Sequence, residues 1–148
     1  MVLLVADTNI FLSIFRLSLN IDALLAVSAP GCKIVVPERV LAEIRGLMNG
    51  LPEARGALEL AERYEVVECP EQGEHLKPED VGGRKRGATG IWDRNGLSEA
   101  DLCVLYVAEK NGGVVFSNDR KLLAAAKERG IPRAYIRGKN RVVLVGVV

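Results

Sequence analysis

The sequence predicts an α/β fold, a three-layer α/β/α sandwich around a central, mainly parallel sheet. Three observations predict it. Short runs rich in β-branched residues are apolar on both faces, longer stretches at helical spacing separate them, and two of the runs lead into an aspartate, Asp7 and Asp119. Strands that are apolar on both faces belong to a parallel sheet covered by helices on either side. Strand–helix alternation then implies right-handed crossovers.

The elements follow in order. VLLVA (2–6) is the first strand, with helices expected over 8–17 and 20–27. KIVV (33–36) is the second strand, and PERVLAEIRGLM opens a helix over 38–48 that buries Val40, Leu41, Ile44, Leu47 and Met48. A helix over 53–63 leads into EVV (65–67). SEADLCVLYVAEK predicts a helix over 98–110, started by Ser98 and Asp101 in a capping arrangement. GVVF (113–116) is a strand and 119–129 a helix; AYI (134–136) or RVVLVGVV (141–148) supplies the last strand. Eight nearly unbroken apolar residues at the end can pair with the sheet, pack on the core or be buried by another subunit, and pairing is the default.

Residues 70–97 break the alternation, being rich in Gly, Pro and charge. So long a stretch without periodicity predicts a functional or mobile loop region. No repeat and no second domain interrupts the rest, so residues 1–148 read as one domain.

Composition excludes several classes. With 49% hydrophobic and 26% charged residues the chain is globular. A net charge of +1 gives no global basic field, so a nucleic-acid surface must be local. No segment approaches the roughly 20 apolar residues needed to span a bilayer. VLLVA is too short for a signal-peptide core and Asp7 interrupts it, so a cytoplasmic protein is expected. Cys32, Cys69 and Cys103 are odd in number and form no CxxC pair; they read as buried free thiols in a reducing compartment. His75 is the single histidine, in a polar stretch, which leaves little basis for a Ser-His-Asp or Cys-His mechanism.

Four acids remain. Asp7 and Asp119 follow apolar strands, at the edge where ligands bind in such sheets. Asp101 shares a helical face with Val104, Leu105 and Ala108, and Glu43 borders the buried stripe of its helix. Singly, the three aspartates are ordinary helix caps and Glu43 an ordinary helix-edge residue. Together, acids from four segments could converge on one sheet edge. Carboxylates about 4 Å apart repel by roughly 4 kcal/mol at an effective dielectric near 20, so such a cluster calls for a cation. Oxygen ligands without His or Cys favour Mg²⁺ or Mn²⁺ over Zn²⁺.

At ADTNIF (6–11), VPERVLAEI (36–44) and LSEADLCVLYVAEKNGGVVFSNDRKL (97–122) the chain resembles the PIN-domain ribonucleases, over nearly its whole length. The resemblance implies acidic positions at Asp7, Glu43, Asp101 and Asp119, catalytic and metal-binding together. Asn9 matches a polar residue that supports the first aspartate, and Ser117 a Ser/Thr two positions before the last. It further implies a Mg²⁺- or Mn²⁺-dependent RNA endonuclease, a hydrolase that is frequently a homodimer. Two branches fit: toxins paired with an antitoxin protein, and nucleases that process ribosomal precursors. TGIWDRNGLSEADLCVLYVA leans toward processing, although no appended zinc ribbon accompanies it.

The chemistry agrees, because phosphodiester hydrolysis needs an in-line water and neutralised phosphate oxygens, which carboxylate-held metals supply. GGRKRG, with Arg84, Lys85 and Arg86, lies upstream of Trp92 and Arg94. It is a solvated basic loop or an RNA grip with Trp92 stacking a base. RAYIRGKNR (133–141) is a second basic stretch of the same kind. Two other classes compete. A phosphoryl-transfer protein would also use strand-end aspartates, but Asn9 stands two residues after Asp7. A catalytically lapsed PIN-like module would only bind RNA or protein, yet all four acids are present.

Overall fold

The computed structural model describes residues 1–69 and 96–147. The loop region expected over 70–97 lies almost wholly outside the described residues, as does His75. The expected elements form with ends shifted by two residues at most, except where the C-terminus was left open.

Six strands make one sheet in the order β3-β2-β1-β4-β5-β6. They are β1 (Val2–Ala6), β2 (Cys32–Pro37), β3 (Glu65–Val67), β4 (Val114–Phe116), β5 (Arg133–Arg137) and β6 (Arg141–Val145). All pairs are parallel except β5 with β6. In β1, Leu4 pairs with Ile34 on one side and Val114 on the other, and Leu4, Val5 and Ala6 are fully buried. That central place explains why VLLVA carries no polar face.

Six helices among the described residues cover the sheet: α1 (Thr8–Arg16), α2 (Ile21–Ser28), α3 (Glu38–Leu47), α4 (Ala54–Ala61), α5 (Glu99–Asn111) and α6 (Arg120–Glu128). α5 starts in the expected capping box, Ser98 with Asp101, and ends at Gly112 in the left-handed region, φ 63°. It packs over β1, β2 and β4 and against α3. Alanine, leucine and valine from Ala100 to Ala108 are buried along it, with Asp101 the half-exposed exception. α1 packs on α4 through Gly56, where a Cβ would lie 2.1 Å from the Phe15 ring.

Both C-terminal candidates are strands. Gly138, at φ 61°, allows the chain to reverse after β5, and β6 returns antiparallel, Tyr135 opposite Val143. Pairing with the sheet is thus the outcome for the apolar C-terminal run. Among the described residues no single helix is long and apolar enough to cross a membrane; α1 and α2 reach that length only as a pair bent by 105°.

The cysteines overturn an expectation. Cys69 and Cys103 are joined in a disulfide, with Cα atoms 5.5 Å apart, and Cys32 alone is a free thiol. The bond joins the residue two beyond β3 to the buried face of α5. Spacing could not reveal it, because a pairing 34 residues apart depends on how α5 crosses the sheet. The argument for a reducing compartment from three free thiols therefore falls.

A cross-link closing a loop of this length restricts the unfolded chain by about 4 kcal/mol in the chain-entropy account. Reduction should accordingly lower the melting temperature by roughly 5–15 °C. Thermal melts of wild type and Cys69→Ser, with and without a phosphine reductant, read this out. Wild type should respond to reductant and the variant should not; a reductant-insensitive wild type would contradict it.

Candidate active site

Asp7 ends β1 and caps α1. Its backbone N–H donates to Phe116 O at 3.2 Å, continuing the β1–β4 ladder by one residue and turning the side chain inward. The carboxylate is 1% exposed. Oδ1 accepts from the Ile10 N–H at 2.8 Å, and Oδ2 from the Ser117 hydroxyl at 2.6 Å. Ser117, fully buried just past β4, also accepts the Asp119 N–H at 2.8 Å. One hydroxyl therefore fixes two of the four acids relative to each other.

Asp119 caps α6, its Oδ1 taking the Lys121 N–H at 2.9 Å. Asp101 Oδ2 accepts from Ser98 N–H at 3.1 Å. Glu43 Oε1 accepts a hydrogen bond from the Thr8 hydroxyl, which holds a helix-edge glutamate toward the end of β1. The four acids line one cavity of about 280 Å³ with Thr8, Asn9, Leu12, Leu47 and Ser98.

Their mutual influence is electrostatic as well as geometric. Burial pushes the Asp7 carboxyl up to about 7, against the Ser117 and Ile10 hydrogen bonds and with help from Asp101 and Asp119. Burial likewise raises Asp101 to about 6, opposed by Ser98 and reinforced by Glu43 and Asp119. A pair of strand- and helix-borne aspartates near neutrality is costly to ionise fully without an added positive charge.

Asp7, Glu43, Asp101 and Asp119 share the cavity. Asn9 lines it too, but the oxygens of Asp7 are held by Ile10 and Ser117, the latter the polar residue expected near the last aspartate. Arg84, Lys85, Arg86, Trp92 and Arg94 lie outside the described residues. Thr8 sits inside the DTN opening with no spacing that marks it, and only the fold shows that it faces Glu43. Among the described residues no three His, Cys, Asp or Glu side chains are already arranged to close on a metal ion. Each acid is turned to a cap or a hydroxyl instead. The donor set still suits a hard divalent cation, because every ligand candidate is an oxygen and an added positive charge would offset the burial and acidic neighbours that raise Asp7 and Asp101.

The PIN domain family model matches residues 4–128. The chain belongs to the PIN domain family. Ribonuclease VapC9 of Archaeoglobus fulgidus is 33% identical to it over 89 residues, 60% of this chain and 46% of that protein. The chain thus spans about half the length of that relative. Among solved structures, the PIN domain endonuclease Utp24 superposes with a TM-score of 0.68 at 21% identity, covering 99% of this chain and 95% of that one. VapBC2 from Rickettsia felis, solved on a DNA fragment from its promoter, gives 0.58 at 16% identity, over 91% and 99% of the two chains. Both likenesses show the shared fold.

A pH dependence follows from the raised carboxyls. An unfolded aspartate titrates near about 3.9, whereas these two titrate near 7 and 6 in the fold. Between those values the folded chain keeps protons that the unfolded chain has lost. Their contribution to stability is therefore full below about pH 4 and is lost as pH rises through 6 and 7. In chelator, the protein should melt at a higher temperature at pH 5 than at pH 8, and Asp7→Asn should narrow the gap. A wild type that gains stability over that interval would contradict the burial of an ionisable Asp7.

Proposed function

We propose that this chain is a Mg²⁺- or Mn²⁺-dependent endoribonuclease that hydrolyses RNA phosphodiester bonds at a site formed by Asp7, Glu43, Asp101 and Asp119. The observation that carries the reading is the meeting of four acids, from β1, α3, α5 and the start of α6, in one cavity. Family membership and the ribonuclease named among its relatives support it.

Asp7, Asp101 and Asp119 would hold the cation, with Glu43 on the longest side chain acting through water. When bound, the ion activates a water and neutralises charge on the phosphate oxygens. The chain's own part is positioning. Ser117 fixes Asp7 and the Asp119 backbone together, Ser98 holds Asp101, and Thr8 keeps Glu43 at the cavity. Leu12 and Leu47 supply the apolar part of the cavity lining.

Two settings suit that chemistry: a toxin held by an antitoxin protein, or a nuclease acting on a ribosomal precursor. The likeness to VapC9 and VapBC2 bears on the first and the likeness to Utp24 on the second. The decisive assay incubates labelled structured RNA with wild type in Mn²⁺, Mg²⁺ or EDTA, beside Asp7→Asn, Asp101→Asn and Asp119→Asn. Each variant should fold and fall to the EDTA background, since it loses a ligand charge without changing shape. Near-wild-type cleavage by any of them would remove that residue from the site.

We also propose a homodimer in which two sites share one assembly. Phe15 and Leu17, 46% and 38% exposed, leave apolar surface at the end of α1 for a second copy to cover. Light scattering over a dilution series should give the dimer mass, and a monomer mass at high concentration would refute it.

A further inference from the structure

We infer that the β5–β6 hairpin docks the RNA backbone that flanks the cleaved phosphate, an inference that rests on the nuclease reading. RAYIRGKNR carries Arg133, Arg137, Lys139 and Arg141 within nine residues. Its place in the fold carries Arg137, Lys139 and Arg141 toward the end of the sheet where β4 leads into Asp119. β5 runs parallel to β4, with Phe116 opposite Ala134, so its carboxyl end reaches the sheet edge that bears Asp119. Asn118, between Ser117 and Asp119, locks that end in position. Its Nδ2 donates to Ile136 O at 3.0 Å and its Oδ1 accepts from the Ile136 N–H at 2.8 Å, as a neighbouring strand residue would. The next residue, Arg137, ends β5, and the hairpin turn follows from Gly138.

The turn is arranged for an anion. Arg137 stands directly opposite Arg141 across the antiparallel pair, both exposed. Like charges at such a pair destabilise a hairpin unless something neutralises them. Among the described residues no acid forms an ion pair with Arg133, Arg137, Lys139 or Arg141, whereas Arg16, Lys33, Arg39, Arg45 and Arg129 each pair with a glutamate. Beside the turn lies an open groove of about 810 Å³, lined by Val27, Ser28, Arg137, Gly138, Asn140 and Arg141. Guanidinium groups are suited to bidentate phosphate contacts, and Asn140 adds an amide donor. Asn118, the residue before Asp119, is linked to Ile136, the residue before Arg137, so a chain of phosphates held at the acids would extend toward this turn. The surface fits a polyanion with regularly spaced charges, and RNA is the polyanion that the adjacent site acts on.

The test separates docking from cleavage. Wild type, Arg137→Gln, Arg141→Gln and the triple variant Arg137→Gln/Lys139→Gln/Arg141→Gln are titrated into fluorescent single-stranded RNA in EDTA, so that nothing is cut. Anisotropy is read over a KCl series. Affinity should fall in the order single, then triple, and the slope of log K against log salt should flatten by about 0.7 for each cation removed. Arg45→Gln, whose side chain is paired with Glu62, should match the wild type. With Mn²⁺, the triple variant should keep the turnover of wild type on a small phosphodiester that cannot reach the hairpin. Melts confirm that each variant is folded, and the single variants decide if the triple is not. Wild-type RNA affinity and salt slope in the folded variants would overturn the inference and leave an acidic protein as the partner for this surface. Loss of RNA binding with no cleavage by wild type in any metal would sustain the docking surface and sink the nuclease reading.

Discussion

Removing an ionised carboxylate from water costs several kcal/mol unless the protein replaces the lost hydration. Asp7 at the end of β1 is the group on which this fold places that demand. The replacement is incomplete: one backbone N–H and one hydroxyl reach it, while Asp101 and Asp119 add repulsion. Its carboxyl is therefore held near neutrality, a condition that a bound cation would reverse by favouring the ionised form. The buried hydroxyl of Ser117 takes on a second duty, since it also accepts the backbone N–H of Asp119. Removing that hydroxyl would leave two groups without a partner, which makes it more consequential than its size suggests.

The strand order explains why these groups meet. β1 lies between β2 and β4, so Asp7, one residue past the Ala6–Phe116 pair, stands beside Ser117, and Asp119 follows two residues later. α3 follows β2, α5 packs over β1, β2 and β4, and the two helices pack on each other. Glu43 and Asp101 are thereby delivered to the same edge from the layer above. Four residues separated by up to 112 positions become neighbours through one parallel sheet and its crossovers.

Local features of this arrangement were legible in the sequence. VLLVA and GVVF declared buried strands, Ser98 and Asp101 declared a helix start, and the acids after β1 and β4 stood where a parallel sheet binds ligands. What stayed hidden depends on contacts across many residues. The Cys69–Cys103 bond, the Thr8–Glu43 hydrogen bond and the Asn118–Ile136 pair span 34, 35 and 18 residues. No periodicity encodes them, because each is set by where one element crosses another. The choice between AYI and RVVLVGVV was false for a related reason. Each run is a strand, and the glycine between them was the signal of a hairpin.

A net charge of +1 conceals a strong local separation. One sheet edge collects four acids, and the hairpin that continues the same edge collects cations without acidic partners among the described residues. Had the two groups been brought together they would have neutralised each other, and neither would attract a ligand. The side chain of Asn118 stands between them and spends its hydrogen bonds on the β5 backbone, leaving the carboxylates of Asp7 and Asp119 to other partners. A nuclease of the proposed kind would have to hold a cation among acids while gripping a polyanion nearby. Those demands conflict at a single point, and they become compatible when a rigid strand separates them by a fixed distance.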